Sequence, residues 1–201
     1  MLEARGVKLR PIAASDSDYL YEWRNTSSYR ELFQGRRSIV RRDEFEHEQK
    51  NDASNRHQQF IVVHCAHQEI VGLVYSFSFN ATDSTVMFGI FIKDSYQLTQ
   101  CSAIATVLFI KYLFDDLNIR KVSVDIYSYN MKSLVPCKKL GFEEEGVFKE
   151  HRYLRGKFHD VHRLALFSRS ADRITQLHTR LHRPKAVRRI RRAEPAQRIP
   201  P

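Results

Sequence analysis

The sequence predicts an α/β fold, a mixed and mostly antiparallel sheet of six to seven strands flanked by helices, with a basic C-terminal tail. Three observations carry this. Between residues 59 and 93, three runs rich in Val, Ile and Phe are separated by polar turn segments, as in an antiparallel meander. From 99 to 117 the apolar spacing becomes helical, with Ala103, Val107, Leu108, Ile110 and Phe114 on one broad face. That helix lies between two strand-like segments, and a helical crossover between neighbouring strands implies parallel pairing there, whereas hairpins elsewhere imply antiparallel pairing.

In chain order, Val7 to Ile12 alternates apolar and polar residues and predicts a short strand. Ser15 or Asp16 is placed to cap the following helix, whose inner face would carry Tyr19, Leu20 and Trp23. A polar, Arg-rich connection leads to a second helix over 42–50. The meander follows, with strands at 59–65, 70–79 and 85–93. After the long helix come a strand over 121–127 and a short helix near 131–139. Gly141 stops that helix, because glycine takes the left-handed conformation a C-terminal cap needs. Two closing strands, 142–150 and 160–168, flank a turn at Arg155-Gly156-Lys157. A last helix over 171–182 ends before Pro184. The expected organisation is one domain over 1–170, then a helix and a basic, disordered tail over 171–201.

Composition limits the possible classes. The chain has 201 residues, 42% hydrophobic and 28% charged, as expected of one domain with a sizeable core. No run of apolar residues is long enough to span a membrane, and the N-terminus lacks a basic start followed by an apolar stretch, so a cytoplasmic location is expected. Three widely spaced cysteines, Cys65, Cys101 and Cys137, indicate free thiols rather than a disulfide framework. Of the net charge of +10, residues 180–201 hold eight Arg or Lys against Glu194 alone, leaving a body near balance. Such an appendage is a solvated terminus or a contact for RNA, a ribosome or an acidic partner. His64-Cys65-Ala66-His67 brings metal ligands to mind, but strand alternation sends His64 and Cys65 to opposite faces, and no metal is expected.

The segment Asn130-Met131-Lys132-Ser133-Leu134-Val135-Pro136-Cys137-Lys138-Lys139-Leu140-Gly141-Phe142-Glu143-Glu144-Glu145-Gly146 resembles the pattern N-x-x-S/A-x-x-x-Y-x-K-L-G-F-x-x-E-G of the GNAT N-acetyltransferase superfamily. Gly89-Ile90-Phe91-Ile92, Phe114 with Leu117-Asn118, and Gly156-Lys157 with Asp160-Val161 stand at that family's spacings. With the opening Leu9-Arg10-Pro11, the resemblance covers most of the first 168 residues. It is nearest the type that acetylates ribosomal-protein N-termini or nucleotide-linked amino sugars.

The resemblance implies acetyl-CoA as co-substrate and direct attack by a primary amine in a ternary complex, with a homodimer as a common assembly. It implies that the strand over 85–93 splays from the strand over 121–127 to admit the pantetheine arm, with Gly89 permitting close approach. The cofactor contacts it implies are Phe91, Ile92, Lys93, Gln97, Leu98, Thr99, Gln100, Cys101, Ser102, Ala103, Asn130 and Ser133. A helix start suits the pyrophosphate, since its unpaired N–H groups and dipole favour anions. Two departures stand out. The family's loop glycines would fall at Leu98 and Gln100, and only Gln97 and Ser102 fit. Its acid–base positions hold Met87 and Cys137, the latter a candidate general acid with an ordinary thiol pKa of about 8.5 or else a buried apolar substitute for tyrosine. Asn130 either contacts the cofactor or simply caps the short helix.

Trp23, Arg24 and Asn25, within Glu22-Trp23-Arg24-Asn25, resemble the first-helix signature of sugar-amine acetyltransferases and imply acceptor contacts, or else a helix with a buried tryptophan. The resemblance makes this helix and the next one wall of the acceptor cleft, and Arg24, Arg30, Arg36, Arg37 and Arg41 would make that wall basic, suiting a phosphate-bearing acceptor better than a cationic polyamine. His151, His159 and His162 on the closing hairpin are candidate bases or ordinary surface histidines. Two functions follow: acetyl transfer to an amine of a nucleotide-linked sugar or a protein N-terminus, or a catalytically inactive binding protein of the same fold that uses its tail.

Overall fold

The computed structural model describes residues 2–32, 39–53, 56–97 and 99–183, and the basic tail from 184 onward lies outside them. The strands are β1 (Glu3–Ala4), β2 (Val7–Pro11), β3 (Arg56–His64), β4 (Glu69–Asn80), β5 (Thr85–Ile92), β6 (Lys121–Tyr127), β7 (Glu143–Leu154) and β8 (Lys157–Phe167). The helices are α1 (Ser17–Asn25), α2 (Ser27–Leu32), α3 (Arg42–Ala53), α4 (Gln100–Asp115), α5 (Met131–Leu140) and α6 (Asp172–His182). One sheet runs β1-β2-β3-β4-β5-β6-β8-β7. Every pairing is antiparallel except β5 with β6, the crossover spanned by α4. The eighth strand, beyond the seven expected, is the two-residue β1, too short to show a period; it folds onto β2 through Arg5 and Gly6, both at positive φ.

Strand alternation divides the core between the two faces of the sheet. Val62, Val74, Phe88, Val122 and Leu164 pack on one face with Ile104, Leu108, Leu113 and Ile174 from α4 and α6. On the other, Ile61, Leu73, Tyr75 and Phe91 pack against Trp23 of α1 and Tyr29 of α2. Helix α4 is apolar almost all round because it lies between the sheet and α6. Thr99 starts α4: its hydroxyl accepts the Cys101 N–H at 3.2 Å and donates to the Tyr96 carbonyl at 2.7 Å.

Gly141 ends α5 at φ +100, as its residue type predicts. Arg155 and Gly156, both at positive φ, make the two-residue turn between β7 and β8, with Leu154 opposite Lys157. Three local expectations need correction. Asp16 does not cap α1 with its side chain; it is 1% exposed and its carboxylate binds Arg10 and the Ala13 N–H. Ser27–Leu32 is helical where a connection was expected. Strand β7 runs past 150, because a bulge between Phe148 and Arg152 interrupts the alternation that would have revealed its second half. No helix among the described residues is long and apolar enough to cross a membrane.

Candidate functional site

Strands β5 and β6 pair only through Thr85–Lys121, Val86–Val122 and Met87–Ser123. Beyond that point β5 continues against β4 as far as Ile92, and β6 against β8 as far as Tyr127. The two strands therefore part like a wedge, leaving the facing backbone edges of 88–92 and 124–127 without a ladder partner in the sheet. Buried backbone donors and acceptors require partners, so such a wedge suits an extended chain carrying amides, added like a strand.

The starts of α4 and α5 stand at the wide end. Neither helix has an acidic residue in its first turn, so the positive ends of both dipoles are uncompensated there. Asn130 precedes α5. Its backbone donates to Tyr127 O at 2.7 Å and accepts from Ser133 N at 3.0 Å, but its side chain makes no capping bond. The Asn130 Oδ1 is shielded from solvent and has no hydrogen-bond partner in the protein. The capping role is thus excluded in this conformation, and a ligand donor would satisfy that oxygen.

The remaining expected cofactor contacts divide by exposure. Gln100 and Ala103 are exposed and Ser102 and Ser133 half-buried, whereas Cys101 is buried and Leu98 lies outside the described residues. Phe91 is buried under Trp23 and Tyr29, at ring-centroid distances of 5.3 and 5.2 Å, and Ile92 is buried on the α4 face. Only their backbone is open to the wedge. Lys93 pairs with Glu69 at 3.3 Å. Gln97 is clamped: Nε2 donates to Asp94 Oδ1 at 2.6 Å and Oε1 accepts from Lys132 Nζ at 2.9 Å.

Gly89 requires a different explanation from close ligand approach. A Cβ there would lie 2.4 Å from Cζ of Tyr75, its partner across β4, so the glycine makes room for a tyrosine ring. Burial pushes the Cys137 thiol up to about 12. A leaving thiolate with an ordinary pKa of about 8.5 would take a proton from it uphill, so the structure opposes the general-acid role and favours the apolar substitute. Met87, at the other altered position, lines a polar cavity of about 430 Å³ with Ser78, Asn80, Thr85, Ser123, Lys121 and Arg163. The cavity begins where the wedge begins. Its cations are neutralised locally, Lys121 by Glu145 at 2.6 Å and Arg163 by Asp125.

The three first-helix residues build the wall instead of lining it. Trp23 is 4% exposed and Arg24 2%, and both ends of the Asn25 amide bond the Val40 backbone, at 2.9 and 3.1 Å. Sequence reasoning missed Tyr129, whose hydroxyl donates to Glu31 O at 2.6 Å while Glu31 also pairs with Arg155. These bonds tie the end of α2 to the β6–α5 loop and the β7–β8 turn. Of the three hairpin histidines, His159 meets the Tyr129 ring edge-on at 4.9 Å, His162 is bonded to Glu144 at 2.9 Å, and His151 lies against Phe148. Among the described residues no group of three or more His, Cys, Asp or Glu could hold a metal ion.

Comparison with known proteins agrees with this geometry. Residues 7–143 match the family model described as an acetyltransferase (GNAT) domain. Spermidine N(1)-acetyltransferase of Escherichia coli (strain K12) is 27% identical over 169 residues, 83% of this chain and 89% of that protein. The crystal structure of spermidine N-acetyltransferase from Vibrio cholerae in complex with CoA and spermine superposes with a TM-score of 0.75 at 21% identity, over 83% of this chain and 98% of that one. A GCN5-related N-acetyltransferase from Brucella melitensis gives 0.71 at 21% identity, over 89% and 83%. The curated relative carries a polyamine in its name, not the ribosomal-protein or amino-sugar acceptor that the motif suggested.

Proposed function

The chain belongs to the GNAT acetyltransferase family and is an acetyl-CoA-dependent N-acetyltransferase, and from that premise we propose that its acceptor is a polyamine, acetylated at a primary amine. The observation that carries the acceptor is the likeness to relatives named for spermidine, and the charge of the α1–α3 wall does not oppose it. Its described residues from 17 to 47 hold six carboxylates: Asp18, Glu22, Glu31, Asp43, Glu44 and Glu46. Against them stand four guanidinium groups, Arg24, Arg30, Arg41 and Arg42, with Arg36 and Arg37 outside the described residues. Arg24 is buried, Arg42 pairs with Asp18 at 2.7 Å, and Arg41 with Asp43 at 3.0 Å. With Arg36 and Arg37 counted, residues 17–47 hold six acids and six arginines, so the wall is near charge balance rather than basic and gives a phosphate no advantage over a cation, and the relatives named for spermidine favour the cation.

The coenzyme fits the residues present. The open edges of 88–92 and 124–127 would hold the pantetheine amides, Asn130 Oδ1 would accept from the arm, and the start of α4 would meet the phosphates. When bound, acetyl-CoA supplies a thioester carbonyl, so that the new amide N–C bond replaces a C–S bond. The chain's own contribution is chiefly positional. Effective molarities for well-oriented pairs reach ~10⁵ M or more, against ~10²–10⁴-fold from one acid or base, and neither Met87 nor Cys137 is suited to proton transfer.

Mass-spectrometric turnover with spermidine, a nucleotide-linked amino sugar and an N-terminal peptide tests the acceptor. Acetylspermidine as the fastest product is expected. Acetylation of the sugar or the peptide alone would overturn the polyamine reading and return the acceptor to the classes the motif suggested.

A further inference from the structure

Lys132 stands out among the lysines for the partner it has. Lys93, Lys111, Lys121, Lys138 and Lys149 are each bonded to a carboxylate. Lys132 is bonded to the neutral carbonyl oxygen of Gln97, at 2.9 Å, with Asp94 engaged on the far side of the same amide. It lies in the first turn of α5, where a cation is the wrong sign for the helix dipole, and Gln97 lies two residues ahead of the Thr99 cap of α4. An ammonium is thus held near the positive ends of two helices, neither with an acid in its first turn. Three like-signed fields meet there, opposed only across the amide by Asp94, and they would attract a bound anion.

The start of α4 also has less to offer an anion than its length suggests. The Thr99 hydroxyl already occupies the Cys101 N–H, and Gln100 stands where a glycine would let a phosphate come close to the backbone. The shielded Asn130 Oδ1, two residues before Lys132, is an acceptor that suits an N–H of the pantetheine arm rather than a phosphate oxygen, so it favours the coenzyme beside α5 and leaves the phosphates to Lys132.

We propose that Lys132, latched to Gln97, binds the pyrophosphate of the coenzyme and supplies the attraction that the glycine-free loop gives up. The proposal rests on the acetyl-CoA reading above. Lysine serves here as a point charge on a flexible stem, able to leave the amide for a phosphate oxygen without moving backbone.

Calorimetric titration of the full chain with CoA, dephospho-CoA and pantetheine tests it, using wild type, Lys132→Met and Gln97→Glu. Loss of a charge-assisted bond predicts about 10- to 100-fold weaker binding of CoA and of dephospho-CoA to Lys132→Met, with pantetheine unaffected. Gln97→Glu, which neutralises the lysine in place, is expected to weaken the same two ligands, and Lys132→Arg to retain most of their affinity. The salt dependence of CoA binding should flatten in Lys132→Met. A penalty that disappears with dephospho-CoA would move the lysine to the 3′-phosphate and overturn the assignment, as would an equal penalty with pantetheine. Wild type that binds none of the three would sink the coenzyme reading itself, an outcome distinct from a lysine that does not matter.

Discussion

Arg10 and Asp16 meet fork to fork, Nη1 to Oδ2 and Nη2 to Oδ1, each at 2.7 Å, and Oδ2 also accepts the Ala13 N–H at 2.8 Å. The pair closes the corner between β2 and α1. Arg10 donating into the carboxylate holds Asp16 below the usual carboxylate range, against the desolvation that opposes it. A group whose folded pKa is depressed stabilises the fold above its unfolded pKa, about 3.9, and loses that contribution as pH falls through the folded value. Asp16→Asn is therefore expected to cost about 1.5–3 kcal/mol at pH 6, with the gap to wild type closing below about pH 4. Urea midpoints at pH 6 and pH 3 check both the size and the sign; an equal gap at both would remove the charge from the account.

Gly89 and Tyr75 give a second test. With Cζ of the ring 2.4 Å from the site of a Cβ, Gly89→Ala must displace a side chain that is 8% exposed. The expected loss is about 1–3 kcal/mol, and Tyr75→Leu in the same chain should recover much of it. Recovery in the double variant, read from thermal melts, assigns the glycine to sheet packing; a stable Gly89→Ala that fails only to bind coenzyme would assign it to the ligand.

How much of this was legible varied with the range of the interaction. Gly141 and the Arg155-Gly156 turn were readable because a single residue type satisfies a local backbone demand. The wedge was readable only through the family resemblance, since where β5 and β6 stop pairing depends on residues some thirty-five positions apart. Counting the arginines of the first helices alone gave a basic wall, because the acids of the same segment were left out, among them Asp43, which pairs with Arg41. The same holds for Asp16: a good capping residue by position, it is taken by Arg10, a residue on another element. Lys132 carried no sequence signal of its own, because its bond to Gln97 joins residues thirty-five positions apart.

Cys137 predicts a negative result. A thiol pushed up to about 12 by burial is not a useful proton donor to a thiolate, so Cys137→Ala should leave kcat within about threefold of wild type, short of the ~10²-fold or more that a working acid contributes. Steady-state rates at saturating acceptor decide it. A hundredfold fall with the fold intact would restore the thiol to the reaction.

The pH profile of kcat/KM carries the complementary prediction. The attacking amine must be unprotonated, and a primary ammonium of the lysine kind has a reference pKa of about 10.4. With Met87 at the strand position and the Cys137 thiol pushed up to about 12 by burial, neither usual acid–base position holds a group that changes charge between pH 6 and pH 10, so the fraction of free amine sets the rate. Log kcat/KM is then expected to rise with unit slope from pH 6 to about pH 10, tracking the acceptor's own pKa. Substituting an acceptor of lower pKa should shift the limb to lower pH by the same amount. A profile that levels near pH 7 regardless of the acceptor would instead place a histidine in the path of the proton.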